Sequence, residues 1–174
     1  MMNQKNMLTE TKKITMHRLA KDTDFDFIYQ LYMHPVINPW LLYEQMDENE
    51  FRPIFNELVS REFLYVFYSG GEMAGMFKLV PQKFRNSHII YLGGISIHPD
   101  HWGKGYGSMM LDEVIRLVTT MGYRRIELTV ASLNFQAINL YEKAGFRNEG
   151  TLKKYTYLKS EDRFIDEQVM ALIL

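Results

Sequence analysis

The chain has 174 residues, 47% of them hydrophobic and 24% charged, and its formal net charge is −1. This length and composition are typical of one globular domain and exclude a disordered or fibrous chain. The absence of cysteine excludes disulfide bonds, thiolate metal sites and a cysteine nucleophile. We therefore expect a single domain over residues 1–174, with a flexible N-terminal segment at 1–12.

Charge and hydropathy also limit the kinds of binding partner that we expect. Lys and Arg form no basic stripe, so nucleic acid is not an expected partner. No window reaches the roughly 18 consecutive apolar residues of a membrane span, and residues 1–6 lack the apolar core of a secretory leader. These observations predict a cytoplasmic protein that does not bind a membrane.

The first half of the chain predicts a strand, two helices and a hairpin. Asp22 or Asp24 is the N-cap of the first helix, which ends before Pro35 because proline cannot continue a helix. Gly70 and Gly71 connect the two strands of the hairpin. The expected elements are a strand at 14–19, a helix that includes 25–32, a helix at 47–60, and strands at 63–68 and 73–80.

The second half predicts strands that alternate with crossover helices. The strand at 88–97 is apolar along most of its length, so we expect it to be buried on both faces, and its Gly93 and Gly94 indicate a β-bulge. The later elements are a helix between Gly105 and Gly122, a strand at 125–130, a helix from its cap Asn134 to Gly145, and strands at 146–157 and 164–173. This order predicts an α/β (α+β) fold, a mixed sheet with helices on both faces.

The stretch 95–108 carries the most informative motif. An apolar strand runs through three alternating glycines directly into a helix, an arrangement that points free backbone N–H groups at an anion. A P-loop is excluded because Lys104 is followed by glycine and not by Ser or Thr. A dinucleotide-binding Gly-x-Gly-x-x-Gly motif is excluded because Ser108 occupies the position of its last glycine. The remaining interpretation is another kind of phosphate-binding turn.

Two motifs make the chain similar to the GNAT acetyltransferases. The turn resembles their Gln/Arg-x-x-Gly-x-Gly/Ala motif, with Gly105 and Gly107 as its last two members and Trp102 in place of Gln or Arg. Residues 134–146 fill every fixed position of their signature Asn-x-x-Ala-x-x-Leu-Tyr-x-Lys-x-Gly-Phe. Within that superfamily the chain resembles bacterial N-acetyltransferases for small amines and amino acids. The resemblance implies a mostly antiparallel, twisted sheet of about seven strands that contains a splayed parallel pair.

The resemblance also implies acetyl-coenzyme A as co-substrate, with no metal. The pyrophosphate would lie on the glycine turn, and the pantetheine arm would pair with residues 94–97 while the strand at 125–130 diverges. The cofactor-binding residues implied in this way are Ile95, Ser96, Ile97, Trp102, Gly103, Lys104, Gly105, Tyr106, Gly107, Ser108, Asn134 and Lys143.

The family's reaction is direct attack of an amine on the acetyl thioester. The resemblance assigns Tyr141 as the general acid that protonates the leaving thiolate, although Tyr141 shares a helical face with Leu140 and packing in the core is its competing role. The strand at 89–97 has no carboxylate, so its sequence offers no general base. The candidates are Glu127 on the neighbouring strand, Glu44, His88 and a water chain.

The ring-rich segment 34–45 predicts one wall of an acceptor pocket. Asn38, Trp40 and Tyr43 would line it together with the loop 160–163. The expected acceptor is a primary amine of a small molecule, such as an amino acid or a polyamine. Two alternatives stay open, acetylation of a protein N-terminus or lysine and a non-catalytic module that senses acyl-CoA.

Pairing of the last strand across subunits would form a homodimer.

Overall fold

The computed structural model describes residues 16–174, and these form one sheet with helices in the predicted order. The predicted flexible segment at 1–12 and the first residues of the strand at 14–19 lie outside this range. The strands and helices are β1 (His17–Leu19), α1 (Phe25–Met33), α2 (Glu48–Ser60), β2 (Leu64–Ser69), β3 (Glu72–Pro81), β4 (Ile89–Ile97), α3 (Tyr106–Thr120), β5 (Arg125–Ala131), α4 (Phe135–Lys143), β6 (Arg147–Leu158) and β7 (Arg163–Ile173).

The seven strands are arranged in the order β1-β2-β3-β4-β5-β7-β6. Strands β4 and β5 are parallel, and every other neighbouring pair in the described sheet is antiparallel. The parallel pair arises because α3 carries the chain from the end of β4 back to the start of β5. The predicted fold class, a mixed and mostly antiparallel sheet with one parallel pair, is confirmed.

The sheet separates two apolar layers. Along β2, Leu64 and Val66 pack against α1 and α2, whereas Tyr65 and Phe67 face the core beneath α3 and α4. Successive side chains of a strand point to opposite faces, so helices cover both faces, as predicted. None of the helices within residues 16–174 is long and apolar enough to cross a membrane.

The expectation that β4 is buried on both faces is wrong. Ile90 and Leu92 are buried against the α3 and α4 layer, but Tyr91 and Gly93 are only half-buried. They lie on the other face, where they line a cavity that α1 and α2 do not fill. An apolar run therefore marks a strand with a cavity on one side as readily as a strand buried on both.

Asp24 connects β1 to the start of α1. It lies at the N-cap position that the sequence suggested, but its side chain makes no capping hydrogen bond. Two guanidinium N–H groups of Arg18 donate to its carboxylate over 2.6 and 2.8 Å, and the backbone N–H of Lys21 donates over 2.7 Å. Asp24 is only 3% exposed. Burial raises the pKa of this carboxyl, but the hydrogen bonds from Arg18 and Lys21 outweigh it and hold the pKa below its usual range.

We predict that Asp24→Asn lowers the free energy of unfolding by about 3 kcal/mol at pH 7, because it leaves a partly buried guanidinium without its partner. Since the folded-state pKa of Asp24 is lowered, its contribution is complete above the unfolded pKa of about 4 and is lost as the pH falls below it. Urea unfolding at pH 7 and at lower pH measures both effects. Asp26→Asn, an exposed carboxylate in the first turn of α1, is the matched control.

A loss at Asp24 equal to that at Asp26, or a difference between parent and Asp24→Asn that widens in acid, contradicts this role of the ion pair.

Candidate active site

The parallel strands β4 and β5 separate after their first three residue pairs. They pair from Ile89 and Arg125 as far as Tyr91 and Glu127, and beyond this point β5 continues to pair only with β7. The far half of β4 therefore has a backbone edge that no strand of the described sheet occupies. The predicted splayed pair is present, and the gap between its strands is the centre of the candidate site.

A β-bulge at Gly94 coincides with this separation. On β3, Met76 and Lys78 are two residues apart, but their partners on β4, Ser96 and Gly93, are three apart. Gly94 has φ +58°, a left-handed conformation that a side chain disfavours, and a Cβ at this position would lie 2.8 Å from the Tyr32 hydroxyl oxygen. The bulge predicted from the two glycines is confirmed.

A cleft of about 530 Å³ opens at the far end of the gap. Its walls are the last residues of β4, the glycine turn, the first turn of α3 and one face of α4. Of the twelve predicted cofactor-binding residues, all except Lys104 line this cleft. Side chains that the sequence did not single out, among them Val36, His101 and Gln136, line it too.

The glycine turn presents a row of backbone N–H groups to the cleft. Gly103 and Gly105 adopt left-handed φ values of +73° and +77°, and Gly105 is the N-cap of α3. In the described part of the chain, the N–H groups of residues 103–108 donate to no protein acceptor. Free N–H groups and the positive end of the α3 dipole together favour an anion.

The turn is held in place by its own side chains. The indole N–H of Trp102 donates to the carbonyl oxygen of Ile97 over 2.7 Å, which fastens the turn to the end of β4. The ammonium of Lys104 donates to the carbonyl oxygen of Asp100 over 2.8 Å, and Lys104 does not line the cleft. The prediction that Lys104 contacts the cofactor therefore has no support in this geometry, whereas Lys143 of α4 lines the cleft.

Tyr141 lies on α4 at the wall of the cleft, with only 7% of its surface exposed. Its ring packs against Phe146 with 5.8 Å between ring centroids, so packing and a functional position are combined in one side chain. Burial, and to a smaller extent Tyr91, raise the pKa of Tyr141 well above its usual value of about 10. The phenol is therefore protonated at neutral pH.

Two further polar groups line the cleft beside Tyr141. The Oδ1 of Asn134 accepts a hydrogen bond from the N–H of Ala137 over 3.2 Å, so the predicted N-cap of α4 is confirmed. The Oγ of Ser96 on β4 is buried and has no hydrogen-bond partner among residues 16–174. An unpaired buried hydroxyl at the unoccupied edge of β4 suits a polar ligand.

A second cavity, of about 390 Å³, lies on the face of the sheet that carries α1 and α2. It adjoins the cleft, since Trp40 and Leu41 line both. Trp40 and Tyr43, which the sequence analysis named as acceptor-pocket residues, both line this second cavity. The strand residues that contribute to it are Lys78, Tyr91, Gly93, Gly94, Thr129, Ala131, Tyr155, Thr156, Ile165 and Glu167.

Two predicted parts of the acceptor pocket do not line either cavity. Asn38 is buried, and its side-chain amide donates to the carbonyl oxygens of Tyr32 and Tyr43 over 2.8 and 2.9 Å, so it fixes the ring-rich loop instead of facing a ligand. The loop 160–163 lies beyond the cavity at the tip of the hairpin, and Thr156 of β6 and Ile165 of β7 form the wall in its place.

Glu127, the first candidate for the base, lines neither cavity. It lies at the last paired position of β4 and β5, and the Nε–H of Arg125 donates to its carboxylate over 2.6 Å. Glu44 and His88 also lie outside both cavities. The carboxylate that does line the second cavity belongs to Glu167 of β7, which the sequence analysis missed. Its local sequence does not mark it as a site residue, because Glu167 shares a strand face with the apolar Ile165 and Val169.

The chain belongs to the acetyltransferase (GNAT) family, whose model matches residues 25–146. It is 29% identical over 117 residues, or 67% of its length, to an uncharacterized, SPbeta prophage-derived N-acetyltransferase of Bacillus subtilis. It is 34% identical over 105 residues, or 59% of its length, to the L-amino acid N-acetyltransferase AaaT of Escherichia coli. The matches span 59% and 63% of those two relatives.

Among solved structures, the fold is similar to that of a spermidine N-acetyltransferase from Vibrio cholerae in complex with CoA and spermine. The two superpose with a TM-score of 0.79 at 22% identity, over 90% of this chain and 94% of the other. At this identity the similarity establishes the shared fold.

We predict that Gly94→Ala destabilises the protein by about 2 kcal/mol or more, since it combines a left-handed φ with a contact against Tyr32. Gly70→Ala is the matched control, because Gly70 has a similar φ of +62° but nothing within 4 Å of the added Cβ. Urea unfolding should show a smaller loss for Gly70→Ala, and Tyr32→Phe should restore part of the loss at Gly94.

Equal losses at the two glycines, or no gain from Tyr32→Phe in the Gly94→Ala background, contradict the proposed contact.

Proposed function

We propose that the protein transfers the acetyl group of acetyl-CoA to a primary amine of a small molecule. The observation that carries this proposal is the position of the two cavities, which adjoin at Trp40 and Leu41 where β4 and β5 separate. One cavity has an anion-binding turn and suits the acetyl donor. The other has aromatic walls and a carboxylate, and suits an amine.

The residues of the cleft fit coenzyme A. Its pyrophosphate would accept hydrogen bonds from the N–H groups of residues 103–108, which require no cationic side chain. Its pantetheine arm would pair with the unoccupied edge of β4 from Ile95 to Ile97, in the manner of an added strand. Asn134, Lys143 and the unpaired hydroxyl of Ser96 would supply further polar contacts.

The reaction we propose is direct transfer. The amine attacks the thioester carbonyl carbon with its lone pair, a carbon–nitrogen bond forms, and the carbon–sulfur bond breaks. The leaving sulfur takes the proton of the Tyr141 hydroxyl, which burial keeps in its protonated form at neutral pH. The nitrogen loses a proton as the amide forms, and this proton returns the Tyr141 phenolate to the phenol. Glu167, in the acceptor cavity, is the carboxylate best placed to receive the proton that the ammonium must lose before it attacks.

The shape of the second cavity supports a small acceptor. Rings of Tyr32, Trp40 and Tyr43 line it together with strands of the sheet. A concave volume of about 390 Å³ with aromatic walls favours a small molecule over the extended segment of a polypeptide. The spermidine enzyme and the amino-acid enzyme named above represent the two kinds of acceptor to be compared.

We predict that Gly107→Asp weakens the binding of coenzyme A at least about tenfold, because it places a negative charge in the first turn of α3. Gly107→Ala is the control for size: its Cβ would lie 3.3 Å from a methyl group of Leu140, a flexible neighbour. Calorimetric titration with coenzyme A measures both. Unchanged affinity in Gly107→Asp contradicts the assignment of the turn.

We predict that Tyr141→Phe lowers kcat about 100-fold or more and leaves the Kd of coenzyme A within about twofold of the parent. Tyr123→Phe, a half-buried tyrosine that lines neither cavity, should match the parent. Single-turnover thiol release from acetyl-CoA, with a panel of amino acids, polyamines, aminoglycosides and peptides, measures the chemical step. If none of the tested amines causes the parent protein to release thiol, the proposed function is contradicted. An unchanged rate in Tyr141→Phe contradicts the assignment of Tyr141 as the general acid.

A further inference from the structure

Lys78 is a half-buried cation in the wall of the second cavity. It lies on β3 opposite Gly93, and its Cε would lie 3.5 Å from a Cβ at that glycine, so its stem passes over the bulge. Its ammonium lies 5.8 Å from the centroid of the Tyr43 ring. Among residues 16–174 it has no hydrogen bond and no ion pair with a carboxylate.

The environment of Lys78 does not compensate its charge. Burial lowers its pKa, as expected for an ammonium removed from water without an anionic partner. The hydroxyl of Tyr32, which lines the same cavity, is also buried and has no hydrogen-bond partner in the described residues. One ammonium and one phenol are therefore available as donors on the same side of the cavity, a pair that suits an anionic acceptor such as a carboxylate.

The opposite wall carries the complementary charge. Glu167 lies on β7, where its carboxylate accepts a hydrogen bond from the hydroxyl of Thr156. Strands β4 and β5 lie between β3 and β7, so three strand spacings, about 14 Å or more, separate the backbones of Lys78 and Glu167. Lys78 and Glu167 do not pair with each other. Among residues 16–174, the side chains that line the cavity include one cation, Lys78, and one carboxylate, Glu167.

From this juxtaposition we propose that the acceptor is a zwitterionic amino acid with an uncharged side chain, whose carboxylate binds Lys78 and whose amine faces Glu167. This proposal rests on the proposed function and names its substrate class. A polyamine carries two or more ammonium groups, for which the cavity offers one carboxylate and a repelling cation. The amino-acid side chain would pack on the rings of Trp40, Tyr43 and Tyr155.

The experiment compares acceptors that differ only in the carboxylate. Leucine, methionine and phenylalanine are assayed beside their amides and their decarboxylated amines, with spermidine as a polycation, by thiol release from acetyl-CoA. For the parent we expect kcat/KM to be at least about tenfold higher for each amino acid than for its amide, because the amide lacks the anion that Lys78 binds.

Lys78→Met keeps the unbranched stem and removes the charge. We expect it to lower kcat/KM for the amino acids about 30-fold or more, mainly through KM, and to change kcat/KM for the amides and amines by no more than about twofold. Lys78→Arg should restore part of the preference for the carboxylate. Lys83→Met, an exposed lysine outside both cavities, is the control and should match the parent.

Three outcomes overturn the proposal. The first is a kcat/KM for spermidine or the amides that equals that for the amino acids. The second is an equal loss of kcat for all acceptors in Lys78→Met, as loss of a base would cause, and the third is an unchanged KM for the amino acids in Lys78→Met. These outcomes are distinct from failure of the proposed function, in which the parent binds coenzyme A but none of the amines causes it to release thiol.

Discussion

The separation of β4 from β5 is the constraint on which the whole site depends. A parallel pair would ordinarily continue its hydrogen bonds, but the bulge at Gly94 adds a residue to β4 where the pairing with β5 has ended. The fully buried Tyr32 packs against this glycine, so the bulge is fixed from the α1 side of the sheet. The separation leaves one backbone edge of β4 unoccupied, and the cleft and the second cavity adjoin there.

The distribution of charge follows from this architecture. Our proposal requires no cationic cluster for a phosphate group in a chain with a net charge of −1, because the proposed donors are backbone N–H groups at the start of α3. In the described part of the chain, the charged side chains that line the second cavity are Lys78 and Glu167, on opposite walls. The backbone therefore selects the donor in our account, and side chains select the acceptor.

Local patterns predicted the fold and the residues that line the cleft. The turn at 103–108 and the helix from Asn134 depend on residues adjacent in sequence, and the structure places them as expected. The acceptor half depends on register between distant strands. Glu167 reaches the cavity because β7 inserts between β5 and β6. Glu127 lies outside it, and its carboxylate accepts a hydrogen bond from Arg125. Asn38 resembles a pocket residue but satisfies backbone carbonyls of its own loop. None of these outcomes has a local signal.

A crystal structure of the protein with coenzyme A tests the central claim most directly. We expect the pyrophosphate to lie within hydrogen-bond distance of the N–H groups of residues 103–108 and the pantetheine to pair with Ile95 to Ile97. We expect the sulfur to lie in the gap between β4 and β5, facing the cavity of Lys78 and Glu167. A coenzyme bound away from the turn, or a sulfur directed away from that cavity, would contradict it.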